Sequence, residues 1–285
     1  MQIVDIHPHV ISHDTERYPL APLGGKQSAW SEQRPADTEE LLRQMDDAGI
    51  ERAVVVQAAT AYGSDNSYLA DSVEKHGDRL AGVGCVDIAA DGAVGQLRYW
   101  TVERNLVGIR LYTSGTTMPG QATWFTEPRC APAWSYLEEH AIPVCFQMRP
   151  PGLLLLGQVL ESYPALPAIV DNAARVDMTG GRPFAAAAPL FALAALPTVH
   201  VKVTTNTLRR ATKEAGSASD FVGELVAAFG SERVAWGSDY PAMEGSLVEF
   251  VDLAHEALSG LSEPEREDVL ARTAERLYRP AEASN

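Results

Sequence analysis

Two imidazoles and one carboxylate are the groups in this chain best placed to do chemistry. In Ile3-Val4-Asp5-Ile6-His7-Pro8-His9 an apolar strand begins almost at the first residue and ends in His7 and His9. Residues two apart on a strand face the same side, so both rings point into one space. Far downstream, Val234-Ala235-Trp236-Gly237-Ser238-Asp239-Tyr240-Pro241 is a second apolar strand that ends in a carboxylate. If the two strand ends converge, His7, His9 and Asp239 could move a proton, steady an oxyanion or hold a divalent metal. Plainer origins exist for each: a His pair often only packs as hydrogen-bonded polar groups, and Ser-Asp before Tyr-Pro is also turn chemistry. Position favours the functional reading, because the pair closes the first strand and Asp239 closes the last.

The elements between these ends alternate. His13 to Pro35 is a polar connection of a length usually reserved for function, and Tyr18 and Trp30 argue that it is ordered. Asp37 or Thr38 caps a helix with Leu41, Leu42 and Met45 on one face and Gly49 as its stop. Arg52 to Gln57 is too short and β-branched for a helix and reads as the second strand. Ala59 to Asn66 reads as a polar loop, Ser67 to Lys75 as a helix, Leu80 to Val86 as strand three, and Asp91 to Glu103 as a helix. Strand four, Leu106 to Leu111, leads through an irregular loop, Thr113 to Arg129, into a helix from Ala131 to His140. Pro143 to Met148, Ala168 to Asn172, Val199 to Val203 and Val234 to Trp236 supply strands five to eight. Helices are expected at Gly152 to Tyr163, Pro189 to Leu196, Ser219 to Phe229, Gly245 to Leu258 and Glu263 to Arg276.

Eight short apolar strands in βα alternation, with no internal linker, predict one (β/α)8 barrel over residues 1–285 rather than an open doubly wound sheet. In such a barrel the site lies at the carboxyl ends of the strands. Those ends carry His7, His9, Gln57, Arg110, Gln147, Arg149, Asn172, Arg175, Lys202 and Asp239. Arg110, Arg149, Arg175 and Lys202 stand out because the chain has 23 Lys and Arg against 38 Asp and Glu, a net charge of −15. Four cations at one end of an acidic barrel predict an anionic small-molecule substrate, since Arg grips carboxylates bidentately. Tyr18, Trp30, Tyr62 and Trp124 lie in loops over the same face and could cover a flat ring.

The same acidity argues against nucleic acid and anionic membrane surfaces as partners. Hydrophobic residues make up 46% and charged residues 21%, an ordinary composition for a chain with a sizeable core. Cys85, Cys130 and Cys145 are odd in number and without paired spacing, which reads as buried thiols in a reducing compartment. With no leader-like start and no long apolar window, a cytoplasmic enzyme or binding protein is expected. Oligomeric state is left open, a homo-oligomer included.

Asp-Ile-His-Pro-His, Tyr62-Gly63-Ser64-Asp65-Asn66, Gly108-Ile109-Arg110-Leu111 and Trp236-Gly237-Ser238-Asp239-Tyr240-Pro241 resemble the amidohydrolase superfamily, specifically the family-2 amidohydrolases, over nearly the whole chain. The resemblance implies a (β/α)8 barrel that hydrolyses lactones, such as 2-pyrone-4,6-dicarboxylate or sugar-acid lactones; a related branch decarboxylates aromatic acids. Many members hold a divalent metal on the His-x-His pair, a His at strand five or six, and the strand-eight Asp. This chain has Gln147 where strand five could supply His, and Asn172 where Asp-His is the familiar pairing. Amide oxygens replace imidazole poorly on Zn. The resemblance therefore points to the metal-free lactonase branch, with Asp239, His7, His9 and Asn172 catalytic and Arg110, Gln147, Arg149, Arg175, Lys202 and Tyr62 binding substrate. Two alternatives stand beside it: a Zn or Mn hydrolase or decarboxylase with His7, His9 and Asp239 as ligands, and a disabled barrel that only binds.

Overall fold

The computed structural model describes residues 1–115 and 120–278. Eight strands run β1 Val4–Asp5, β2 Arg52–Val56, β3 Leu80–Cys85, β4 Gly108–Tyr112, β5 Val144–Gln147, β6 Ala168–Val170, β7 Val199–Thr204 and β8 Val234–Gly237. They pair in sequence order, every ladder parallel, with helices outside, giving the expected (β/α)8 barrel. Backbone hydrogen bonds bridge the last seam. Ile6 N–H donates to Trp236 O at 3.3 Å, Asp239 N–H to His7 O at 3.0 Å, and His9 N–H to Tyr240 O at 2.7 Å. The buried Asp5 carboxylate adds a second tie, accepting from His7 N–H at 3.0 Å and Ser238 N–H at 2.7 Å. Gly237 permits this closeness: a Cβ there would stand 2.6 Å from the Cβ of His7.

Strand alternation sorts side chains into two cores. Val4, Ile6, Val54, Val56, Val83, Ile169 and Ala235 fill the barrel, with Tyr278 from the last helical segment packed among them. The alternate residues, such as Ile3, Val55, Leu111, Phe146 and Trp236, pack outward against the helices. The helix Thr38–Ala48 starts as its sequence requires, Asp37 accepting from Glu40 N–H at 2.8 Å, and stops at Gly49 with φ 67°.

Four stretches differ from the sequence reading. The first strand covers only Val4–Asp5, so His7 and His9 lie past its end rather than on it. Ala59 to Asn66 is not all loop, because Ala59–Tyr62 forms a buried helical turn. Between β7 and the helix Ala218–Phe229 lies a further helix, Thr205–Ala215, whose polar sequence hides a narrow buried stripe of Thr207, Leu208 and Ala211. The irregular loop after β4 contains short helical turns at Trp124–Thr126 and Pro128–Cys130, while residues 116–119 of it lie outside the described residues. Among the described residues, no helix is long and apolar enough to cross a membrane.

His200, early in β7, carries a first prediction. Burial, with Arg233 and Arg276 adding to it, pushes its imidazole down to about 4 from 6.5. Its unfolded form therefore binds the proton more readily. The stability this neutral ring contributes is complete above about pH 6.5 and is lost as pH falls from there to about 4. Melting temperature should decline across that interval, and His200→Gln should flatten the decline; an unchanged slope would refute the assignment.

Candidate active site

The seam between β8 and β1 brings the three foreseen groups together. His9 Nδ1 lies 2.7 Å from the carbonyl oxygen of Val56, at the end of β2. A carbonyl only accepts, so this nitrogen carries a proton and Nε2 is the ring nitrogen turned toward Asp239. That Nε2 is 3.6 Å from Asp239 Oδ1, and His7 Nε2 is 3.9 Å from the same oxygen. Neither ring nitrogen of the buried His7 has a hydrogen-bond partner. Burial, reinforced by Lys202 and Arg110, holds its imidazole well below the usual range, and thus neutral. Asp239 reaches this place from a left-handed backbone position, φ 61°.

Under His7 lies a group that the sequence reading did not single out. Asp171, next after β6 and 1% exposed, receives Arg110 Nε at 2.6 Å. Lys202 Nζ stands 3.0 Å from its other oxygen, at ion-pair distance though outside hydrogen-bond geometry, and His7 Nδ1 is 3.8 Å from that oxygen. Burial alone would raise this carboxyl; Lys202 and Arg110 overcome it and hold the acid below its ordinary value. The signal available in sequence was an Asp on an otherwise apolar strand.

After Asp171 the chain makes a left-handed turn. Asn172, Ala173, Ala174 and Arg175 have φ of 52°, 47°, 52° and 53°. No glycine eases this turn, which costs about 1–2 kcal/mol per residue. Its three-residue offset puts Asn172 and Arg175 on the cavity while Ala173 and Ala174 are buried. Such stored strain is typical of functional positions.

The cavity above these groups has a volume of about 260 Å³. That lies just under the usual range for ligand pockets and suits a single small ring. His9, Arg110, Gln147, Arg149, Asn172, Arg175 and Asp239 line it. Gln147 Oε1 is buried without a partner. Arg149 and Arg175 are exposed at the mouth, and neither has an acidic partner within ion-pair distance among the described residues. Although Arg175 is exposed, partial burial of its side chain, with the charges of Arg210 and Arg149, holds it below the ordinary guanidinium value.

Two expected binding residues lie elsewhere. Lys202 is wholly buried inside the barrel, where it pairs with Asp171, because its strand position faces the interior one layer below the mouth. Tyr62 is 3% exposed, and its hydroxyl accepts from Ser12 N–H at 2.8 Å, so it props the first loop from beneath. Of the four loop aromatics, Trp30 does line the cavity, its ring stacked on His9 at 5.2 Å. Tyr18 is drawn off to Asp71 at 2.7 Å, and Trp124 packs against the outer core.

The donor set can be tested against a metal. His7, His9 and Asp239 each offer one ligand atom, and these atoms all lie within 4.8 Å of one another. Two imidazoles and a carboxylate match the three protein ligands of catalytic Zn sites. The proton fixed on His9 Nδ1 by a backbone carbonyl is the outer contact such a ligand needs. The residues therefore fit a divalent ion.

A family model described as amidohydrolase matches residues 4–279. The chain belongs to the amidohydrolase family. It is accordingly a hydrolase of the barrel type that its strand-end motifs resemble. An L-fucono-1,5-lactonase of Burkholderia ambifaria is 29% identical over 213 residues, which cover 73% of this chain and 69% of that protein. A Pseudomonas putida structure provisionally named 2-pyrone-4,6-dicarboxylic acid hydrolase superposes with a TM-score of 0.77 at 23% identity, covering 97% of both chains. An amidohydrolase of Burkholderia multivorans with bound zinc gives 0.75 at 20% identity, covering 98% of this chain and 99% of that one. At these identities the two structures bear on the fold of the amidohydrolase chain.

Proposed function

We propose that this amidohydrolase opens a small carboxylated lactone by water attack on the ring carbonyl. The observation that carries the reading is Asp239, facing the imidazoles of His9 and His7 at 3.6 and 3.9 Å on the wall of a ring-sized cavity. Similarity to a lactonase supports the reaction class. Asp239 takes a proton from the attacking water as the new carbon–oxygen bond forms. The ring carbon–oxygen bond then breaks, and Asp239 returns the proton to the departing alkoxide, leaving a hydroxy acid. His7 and His9 hold the carboxylate in place. Arg149 and Arg175 bind the substrate's own carboxylate at the mouth, because cations without acidic partners among the described residues favour an anion there.

His7, His9 and Asp239 would also hold a divalent cation, in keeping with the alternative metal-dependent reading rather than the metal-free one. When bound, such an ion supplies Lewis-acid polarisation of a carbonyl and acidifies water.

The reading is tested by offering the purified protein neutral lactones, carboxylated lactones and dihydroxybenzoates, with and without added Zn or Mn. Ring opening of a carboxylated lactone is expected. Release of carbon dioxide from the aromatic acid with every lactone untouched would sink the proposal. A second prediction belongs with it: Arg149→Ala combined with Arg175→Ala should raise KM for the carboxylated lactone by at least about tenfold, and less for its methyl ester, because each charged hydrogen bond is worth about 1.5–3 kcal/mol. Equal losses on acid and ester would remove the anion from the argument.

A further inference from the structure

Asn172 holds a fixed orientation, and a residue outside the cavity lining sets it. Thr204, the last residue of β7 and wholly buried, is the N-cap of the helix Thr205–Ala215. Its side-chain oxygen accepts from Thr207 N–H at 3.5 Å. With that oxygen turned to the helix, its proton goes the other way, and the hydroxyl donates a short hydrogen bond to Asn172 Oδ1. The amide oxygen thus faces Thr204 and the amide nitrogen faces away from it. The left-handed backbone of Asn172 places the remainder of the side chain on the cavity wall. Nδ2, with two N–H groups, has no hydrogen-bond partner among the described residues.

We propose that the Asn172 side-chain amide donates to the lactone carbonyl oxygen as it becomes the oxyanion, and that Thr204 is the positioning residue holding the amide in that sense. The inference rests on the lactone-opening reading. It follows that Asn172 is not a ligand: an amide whose oxygen is engaged presents only donors, which cannot coordinate a cation. Any metal set stops at His7, His9 and Asp239. As water adds to the carbonyl carbon, the carbonyl π pair moves onto oxygen, where Nδ2–H receives it. The pair returns when the ring bond breaks, and no further reactant is needed.

Two measurements on the intact protein test this. In the first, kcat and KM are measured on the best carboxylated lactone. Asn172→Ala should lower kcat roughly 100- to 1,000-fold, the usual effect of deleting an oxyanion donor, with KM within about threefold. Ala is a sound replacement here, since Ala173 and Ala174 already adopt the same backbone. Thr204→Val should lower kcat about tenfold with KM little changed, and Thr204→Ser should restore it. A purely structural cap would lower the melting temperature in Thr204→Val and leave the kcat/KM split alone. Unchanged kcat in folded Asn172→Ala or Thr204→Val overturns the proposal. In the second, Zn and Co affinity is read by equilibrium dialysis without substrate. Asn172→Ala should bind either metal within about threefold of wild type, whereas loss of a true ligand or its support costs 10–100-fold; a loss of that size also overturns the proposal. If wild type opens no lactone, the functional reading fails by itself, while dialysis still decides whether Asn172 contributes to the metal set.

Discussion

Asp239→Asn should fold, melt close to the wild-type temperature and lose at least about two orders of magnitude in kcat on its lactone. Asn is the cleanest replacement for a specific reason. Asp239 sits at φ 61°, a region that Asn and Asp tolerate far better than other side chains. The backbone ties at this position, Asp239 N–H to His7 O at 3.0 Å and Met243 N–H to Asp239 O at 2.9 Å, do not involve the carboxylate. The substitution keeps size and shape and removes basicity. Metal titration then separates two roles: if excess Zn restores kcat in the variant, Asp239 acted only as a ligand. If kcat stays low at saturating metal, proton transfer is its task. A folded variant with near-normal kcat would end the mechanism.

Asp171→Asn should be the most destabilising single change in this region. It leaves Arg110, 4% exposed, and Lys202, fully buried, as two buried cations without their counterion. Removing one partner of a buried ion pair costs about 3–5 kcal/mol. For a chain somewhat longer than the 150–250 residues over which 1 kcal/mol shifts melting by 2–4 °C, that is a fall of roughly 10 °C. Adding Lys202→Met should recover part of the loss, because it removes one of the orphaned charges and fills the space with a side chain of similar length. An Asp171→Asn protein that melts with wild type would show that the buried charges are screened.

The fold class was legible because parallel strands buried on both faces write short apolar runs, and helices between them write the longer period. The His-x-His pair and Asp239 were identifiable by their place at the ends of the first and last strands, but β1 stops at Asp5 and β8 at Gly237, so the turns that follow the strands, not strand alternation, bring the three together. Much of the wall was readable from the same rule, since Arg110, Gln147, Arg149, Asn172 and Arg175 do line the cavity. Depth along the barrel axis was not. Lys202 and Arg110 each sit near the end of an apolar strand, yet Lys202 is sealed beneath Asp171 while Arg110, on the same carboxylate, reaches the cavity. The turn at 172–175 left no mark either, because left-handed backbone is normally advertised by glycine and here is held by Asn, Ala and Arg. Tyr62 looked like a lid and is a prop, since a helical turn at Ala59–Tyr62 carries it inward. Sequence periodicity is a local property and fixes which way a side chain points. Closure of the ring joins residues such as Asp5 and Ser238, 233 positions apart, and only that closure decides which pointed groups meet, how deep they lie and which charges must neutralise one another.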